Sequence, residues 1–213
     1  MRAHLPLLLV SVLLGAAALE AAPPPEPEPD VNETGRLNIT ASTRVAVRVY
    51  NQLANLTADD QRVALAVASD VFSTASVGVD WTLCGPGMCL TPPGDTLRVR
   101  LASSPKGDVS SSVLGHALID AQIHSGVLAT VFVDRTRRLA GELGIDYRVV
   151  LGRAIAHELG HLLIGTTTHG SGLMREIWLH DELVGTRRED WVLDPGDVAV
   201  IRDRLSHRRV PIT

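Results

Sequence analysis

The chain has 213 residues, of which 45% are hydrophobic and 21% charged, and its formal net charge is -4. The apolar share excludes an intrinsically disordered chain, and the mild acidity gives no electrostatic drive toward nucleic acid or an anionic membrane. The size suits one domain with its own core better than two.

The chain opens with Arg2, an apolar run from Leu7 to Leu14 broken only by Ser11, and small residues at Ala16 to Ala18 and Ala21 to Ala22. This is the layout of a cleaved export signal over residues 1–22, and the run is too short for a comfortable membrane span. No cysteine follows it, so no lipid anchor is expected. Residues 23–36, beginning Pro23-Pro24-Pro25-Glu26-Pro27-Glu28-Pro29, form a stiff acidic linker. They are too few for a folded pro-domain. Residues 37–213 are the folded domain, expected outside the cell, or in the periplasm of a Gram-negative source.

That domain opens with a strand, in which Val45, Val47 and Val49 alternate with Ala46, Arg48 and Tyr50. Thr57 caps a helix whose apolar residues Val63, Val67, Val71 and Phe72 share a face. Val79, Trp81 and Leu83 alternate again, up to the segment Cys84-Gly85-Pro86-Gly87-Met88-Cys89. A Gly-Pro-Gly turn between the only two cysteines of an exported chain predicts a local structural disulfide between Cys84 and Cys89. Further strands are predicted at Leu97 to Leu101, Val113 to Ile119 and Ala129 to Val133. A polar helical stretch around Arg137 to Leu143 precedes a long helix from Asp146 to Ile164. Gly165 to Met174 reads as loop. Asp194 and Pro195 announce a last helix striped by Val198, Ile201 and Leu205. The sum is an α+β fold, a small mixed sheet with helices packed on it. The arginine clusters are interleaved with acidic residues and read as solvated surface.

The chemistry concentrates in Ala156-His157-Glu158-Leu159-Gly160-His161-Leu162-Leu163. Histidines four residues apart on a helix share a face and reach one metal ion. Glu158, beside the first ligand, reaches a water in the open position of a zinc ion, takes its proton, and returns a proton to a leaving amine. Two histidines and a glutamate among Val149, Val150, Leu151, Ile155, Leu162, Leu163 and Ile164 need a reason, because a buried unpaired charge is costly. One zinc ion supplies it.

His157-Glu158-Leu159-Gly160-His161, Gly165, His169 and Ser171-Gly172-Leu173-Met174 together resemble the metzincin clan of zinc endopeptidases. The resemblance implies a metzincin-like fold and a protein or peptide substrate. By it, Gly165 is the sharp turn after the zinc helix, His169 the third ligand and Met174 the apolar floor of the site. An edge strand around His116 would pair with the substrate and line the site. Two spacings depart from the clan: Gly165 lies four residues after His161 and His169 four after Gly165, against three at each step. No tyrosine follows Met174; Arg175 stands there. Two other readings stay open. One is a gluzincin-type peptidase whose third ligand is Glu176 or Glu182. The other is an exported zinc-binding module without turnover, for which Glu158 would have no use.

Overall fold

A computed structural model describes residues 43–54, 56–85, 89, 96–104, 112–185 and 187–207. The export signal, the linker and the start of the domain at residue 37 lie outside the described residues.

Five strands form one sheet: β1 (Thr43–Leu53), β2 (Val77–Cys84), β3 (Leu97–Ala102), β4 (Gly115–Asp120) and β5 (Ser125–Phe132), in the order β2-β1-β3-β5-β4. Neighbours run parallel except β4, which pairs antiparallel with β5 and forms an edge of the sheet. The sheet is therefore mixed, as the sequence predicts. Its helices are α1 (Ala58–Thr74), α2 (Val133–Leu143), α3 (Tyr147–Ile164), α4 (His180–Val184) and α5 (Pro195–His207).

Alternation explains the layering. Val45, Val47 and Val49 on β1 and Leu97, Val99 and Leu101 on β3 are buried against helices. The opposite face carries Arg44, Arg48, Arg98 and Arg100, and there Arg44 pairs with Asp80 on β2. A period of two gives each strand one apolar and one polar face. At β2 the apolar face is covered at Val77 but open at Leu83, which is 48% exposed. The indole of Trp81 is tied to α1 through Ser69 Oγ at 2.7 Å.

Helix α1 begins at a capping box. The amide of Asp60 donates to Thr57 Oγ1 at 3.1 Å, and the amide of Thr57 donates back to Asp60 Oδ2 at 3.3 Å. Its buried stripe is Gln61, Ala64, Leu65, Ala68, Val71 and Phe72. Val63 and Val67 are only half-buried, so the core face is rotated from the one predicted. The small alanines face inward because α1 packs closely on α3, where Gly152 leaves no room for a Cβ beneath Ala64 and Val67. Thr57→Ala is expected to lower unfolding free energy by about 1 kcal/mol, read as a shifted urea midpoint at unchanged slope.

Helix α3 is capped by Asp146, whose Oδ1 accepts from the Arg148 amide at 2.9 Å. Every residue from Val150 to Ile164 is buried. Such a helix is central, with apolar contacts all round. It packs on α1, α2, α5 and strands β3 to β5. No helix among the described residues is long and apolar enough to cross a membrane. Helix α5 starts as predicted, with the Gly196 amide donating to Asp194 Oδ1 at 2.8 Å and Ile201 and Leu205 buried. Cys84 and Cys89 form a disulfide. Helix α4 spans five residues, too few to leave a periodic signature in the sequence.

Candidate metal centre

The second half of α3 presents His157 and His161 side by side, their Nε2 atoms 3.0 Å apart. Each ring is oriented from behind. His157 Nδ1–H donates to the carbonyl of Leu173 at 2.8 Å, and His161 Nδ1–H donates to that of Thr166 at 2.8 Å. A carbonyl only accepts, so in both rings the proton sits on Nδ1 and Nε2 carries a lone pair. Burial holds the His157 imidazole down at about 4 and lowers that of His161 as well, so neither takes a second proton at neutral pH. Two bare lone pairs thus converge, an arrangement that a cation stabilises. Two nitrogens each about 2.1 Å from a tetrahedral ion stand about 3.4 Å apart, close to the separation here.

After Ile164 the chain turns at Gly165, which caps α3 in the left-handed region at φ 71°, its amide donating to the His161 carbonyl at 2.8 Å. A side chain is strained in that region, and a Cβ there would overlap the backbone oxygen of His124. Thr166 then faces His161 with its carbonyl while its Oγ1 accepts from the Thr168 amide at 3.0 Å. This local turn takes up the extra residues and returns the chain to α3. His169 arrives with its ring 5.4 Å from that of His157 and 5.0 Å from that of His161. One nitrogen from each of the three histidines lies within 4.8 Å of the others, so together they can hold a metal ion. His157 and His161 are buried and His169 is exposed, which leaves the site open on its side.

Met174 ends a 3-10 turn, Gly172–Met174, and is fully buried. It packs under α3 at Gly160, where a Cβ would stand 2.6 Å from its Sδ. The same turn supplies the Leu173 carbonyl that orients His157, a task that the sequence does not disclose.

Glu158 is 6% exposed, and its Oε2 has no hydrogen-bond partner among the described residues. Burial alone pushes its carboxyl up to about 8. A dication held by the neighbouring histidines draws such a group back toward ionisation. The carboxylate lies against β4 at Gly115, where a Cβ would fall 2.8 Å from Oε1. The strand approaches the glutamate this closely because it has no side chain at that point.

The other candidates fall away from the metal position. Glu182 is buried at the start of α4, where it pairs with Arg175 and accepts from the Leu179 amide at 2.7 Å. Glu176 is exposed and stands outside the three-histidine cluster. His116, expected to line the site, does not. Residues 112–115 line the cleft, and His116 alternates to the other face, 5.6 Å from Phe132.

The cleft beside the histidines has a volume of about 640 Å³. Its walls include Leu114 and Gly115, Leu139 of α2, Ala154 of α3, and Ile177 and Trp178 beyond the methionine turn. Sequence reading missed Gly115 and Trp178. The one available signal for Trp178 was a tryptophan standing in a loop only four residues after the methionine.

No protein-family model matches the chain, and no curated protein matches it in sequence. Among solved structures it is similar to archaemetzincin from Methanopyrus kandleri, with a TM-score of 0.50, over 79% of this chain and 99% of that one. The two share 14% sequence identity, and the likeness is one of fold.

Proposed function

We propose that this chain is an exported zinc metalloendopeptidase in which His157, His161 and His169 hold one zinc ion and Glu158 is the general base. The observation that carries this reading is the pair of buried Nε2 lone pairs, 3.0 Å apart, with both Nδ1 protons committed to carbonyls. A third imidazole within reach and a buried carboxylate whose Oε2 lacks a partner among the described residues complete the set. Three imidazole nitrogens with an open position suit zinc. The archaemetzincin-like fold agrees with this choice. The apolar N-terminal run and the disulfide are consistent with export.

When bound, zinc supplies Lewis acidity, lowering the pKa of a water to about 7 and polarising a carbonyl. The chain's own residues do the rest. Leu173 and Thr166 hold the two helix imidazoles as Nδ1–H tautomers. Glu158 accepts the water's proton at a carboxylate oxygen and passes it to the leaving amine. Leu114, Leu139 and Ile177 give the cleft beside it apolar walls.

Purified protein is expected to carry about one zinc per chain. It is expected to cleave members of a peptide library, to lose that activity on chelation and to regain it with added zinc. Full hydrolysis in a rigorously metal-free sample would falsify the proposal. Bound zinc with no cleavage of any peptide would leave a binding module.

A further inference from the structure

We infer that Trp178 is a positioning residue for His157, fixing the orientation of that imidazole through a run of ring contacts that begins and ends on α3. The inference rests on the reading of His157 as a metal ligand. Trp178 Nε1–H donates at 3.3 Å to the Leu173 carbonyl, the same oxygen that accepts from His157 Nδ1–H. Its indole stands edge-on to the His157 ring, with centroids 5.7 Å apart and planes at 81°. One tryptophan therefore touches the ligand and also fixes the acceptor that sets the ligand's tautomer.

Trp178 is itself held in place. Trp191 packs on it edge-on at 5.0 Å. The guanidinium of Arg153 lies 3.7 Å from the centroid of Trp191, and Arg153 donates to the Leu183 carbonyl at 3.2 Å. Among the described residues the buried Trp191 Nε1–H has no acceptor, so that indole contributes its faces and edges to the run. Arg153 sits on α3 one turn before His157. The run Arg153, Trp191, Trp178, His157 thus leaves the helix and returns to it one turn later. It braces the methionine-turn segment against the helix that carries the ligands. His161 is oriented separately, by the Thr166 carbonyl, and meets this run only at His157, whose ring lies 4.7 Å from its own.

Outer contacts of this kind, when removed, cost about 10–100-fold in metal affinity. Trp178→Phe keeps an aromatic ring and removes only the N–H; Trp178→Leu removes both. The full-length protein is loaded with zinc, and affinity and release rate are read by competition with a chromophoric chelator. In the metal-free protein, ¹⁵N NMR of the imidazoles reads the tautomer of each histidine. Zinc release is expected to quicken in both variants, by about 10-fold or more in Trp178→Leu. The His157 tautomer is expected to become mixed while that of His161 stays Nδ1–H. Release within about twofold of wild type in both variants overturns the inference, since a braced ligand is expected to lose at least about 10-fold. Equal disturbance of His157 and His161 also overturns it, since that marks a general loss of structure. If Trp178→Leu does not fold, Trp178→Phe decides alone. Failure of the wild-type protein to bind zinc would instead strike the metal-centre reading.

Discussion

Glu158→Gln is expected to keep the zinc and lose hydrolysis by about 10²–10⁴-fold or more. The metal is retained because nothing that orients the ligands changes. His157 and His161 keep their carbonyl partners at Leu173 and Thr166, and His169 lies on a separate segment. The fold is retained because glutamine has nearly the same shape in a position that is 6% exposed. The neutral amide also removes a carboxylate whose ionisation burial opposes, since that carboxyl is pushed up to about 8 without a metal. Thermal stability of the metal-free variant is therefore expected to match or exceed that of wild type. What is lost is the group that can accept a proton beside the open position. Zinc content by elemental analysis and kcat/KM on a peptide identified from the library check this together. A wild-type rate in the zinc-loaded variant would remove Glu158 as the base. Loss of the zinc would mean that Glu158 is a ligand.

The parts of the molecule legible in the sequence are those specified by neighbouring residues. Thr57 and Asp194 announce their helices because a cap acts on amides two or three positions away. The strands are legible because alternation is local, but their order and direction are not. Nothing in the β4 pattern tells that it lies antiparallel at an edge while the other neighbours run parallel. The same boundary runs through the site. His157, Glu158 and His161 share one helix turn, and their convergence follows from helix geometry. The carbonyls of Leu173 and Thr166 have no side-chain signature, so their tasks appear only once the chain is folded. Gly115 and Trp178 reach the centre from segments outside α3, and the core face of α1 differs from the expected one for a similar reason. A helix's core face is set by what packs on it, here α3 as well as the sheet.

His169→Ala is expected to lower zinc affinity sharply, whereas Glu176→Gln and Glu182→Gln are expected to leave it nearly unchanged. The helix pair offers two nitrogens, and a catalytic zinc takes three protein ligands. The spacing from His161 to His169 is longer than in the clan that the sequence resembles, so the return of the chain has to be accounted for physically. Gly165 reverses the direction in a left-handed conformation, and the Thr166 to Thr168 turn absorbs the added residues. His169 then stands with its ring within 5.4 Å of both partners' rings. It is exposed, so its loss leaves no cavity and costs little stability, and a fall in affinity cannot be put down to unfolding. Glu182 is already occupied by Arg175 and the Leu179 amide, and freeing it would unpair a buried charge. Glu176 is exposed and lines the same cleft, but it stands outside the three-histidine cluster. Competition with a chelator across the three variants ranks them directly. If Glu182→Gln or Glu176→Gln weakens zinc binding while His169→Ala does not, the third ligand is a glutamate and the methionine-turn segment has a different path around the metal. His157, Glu158 and His161 would keep their roles under that outcome, because their placement depends on α3 alone.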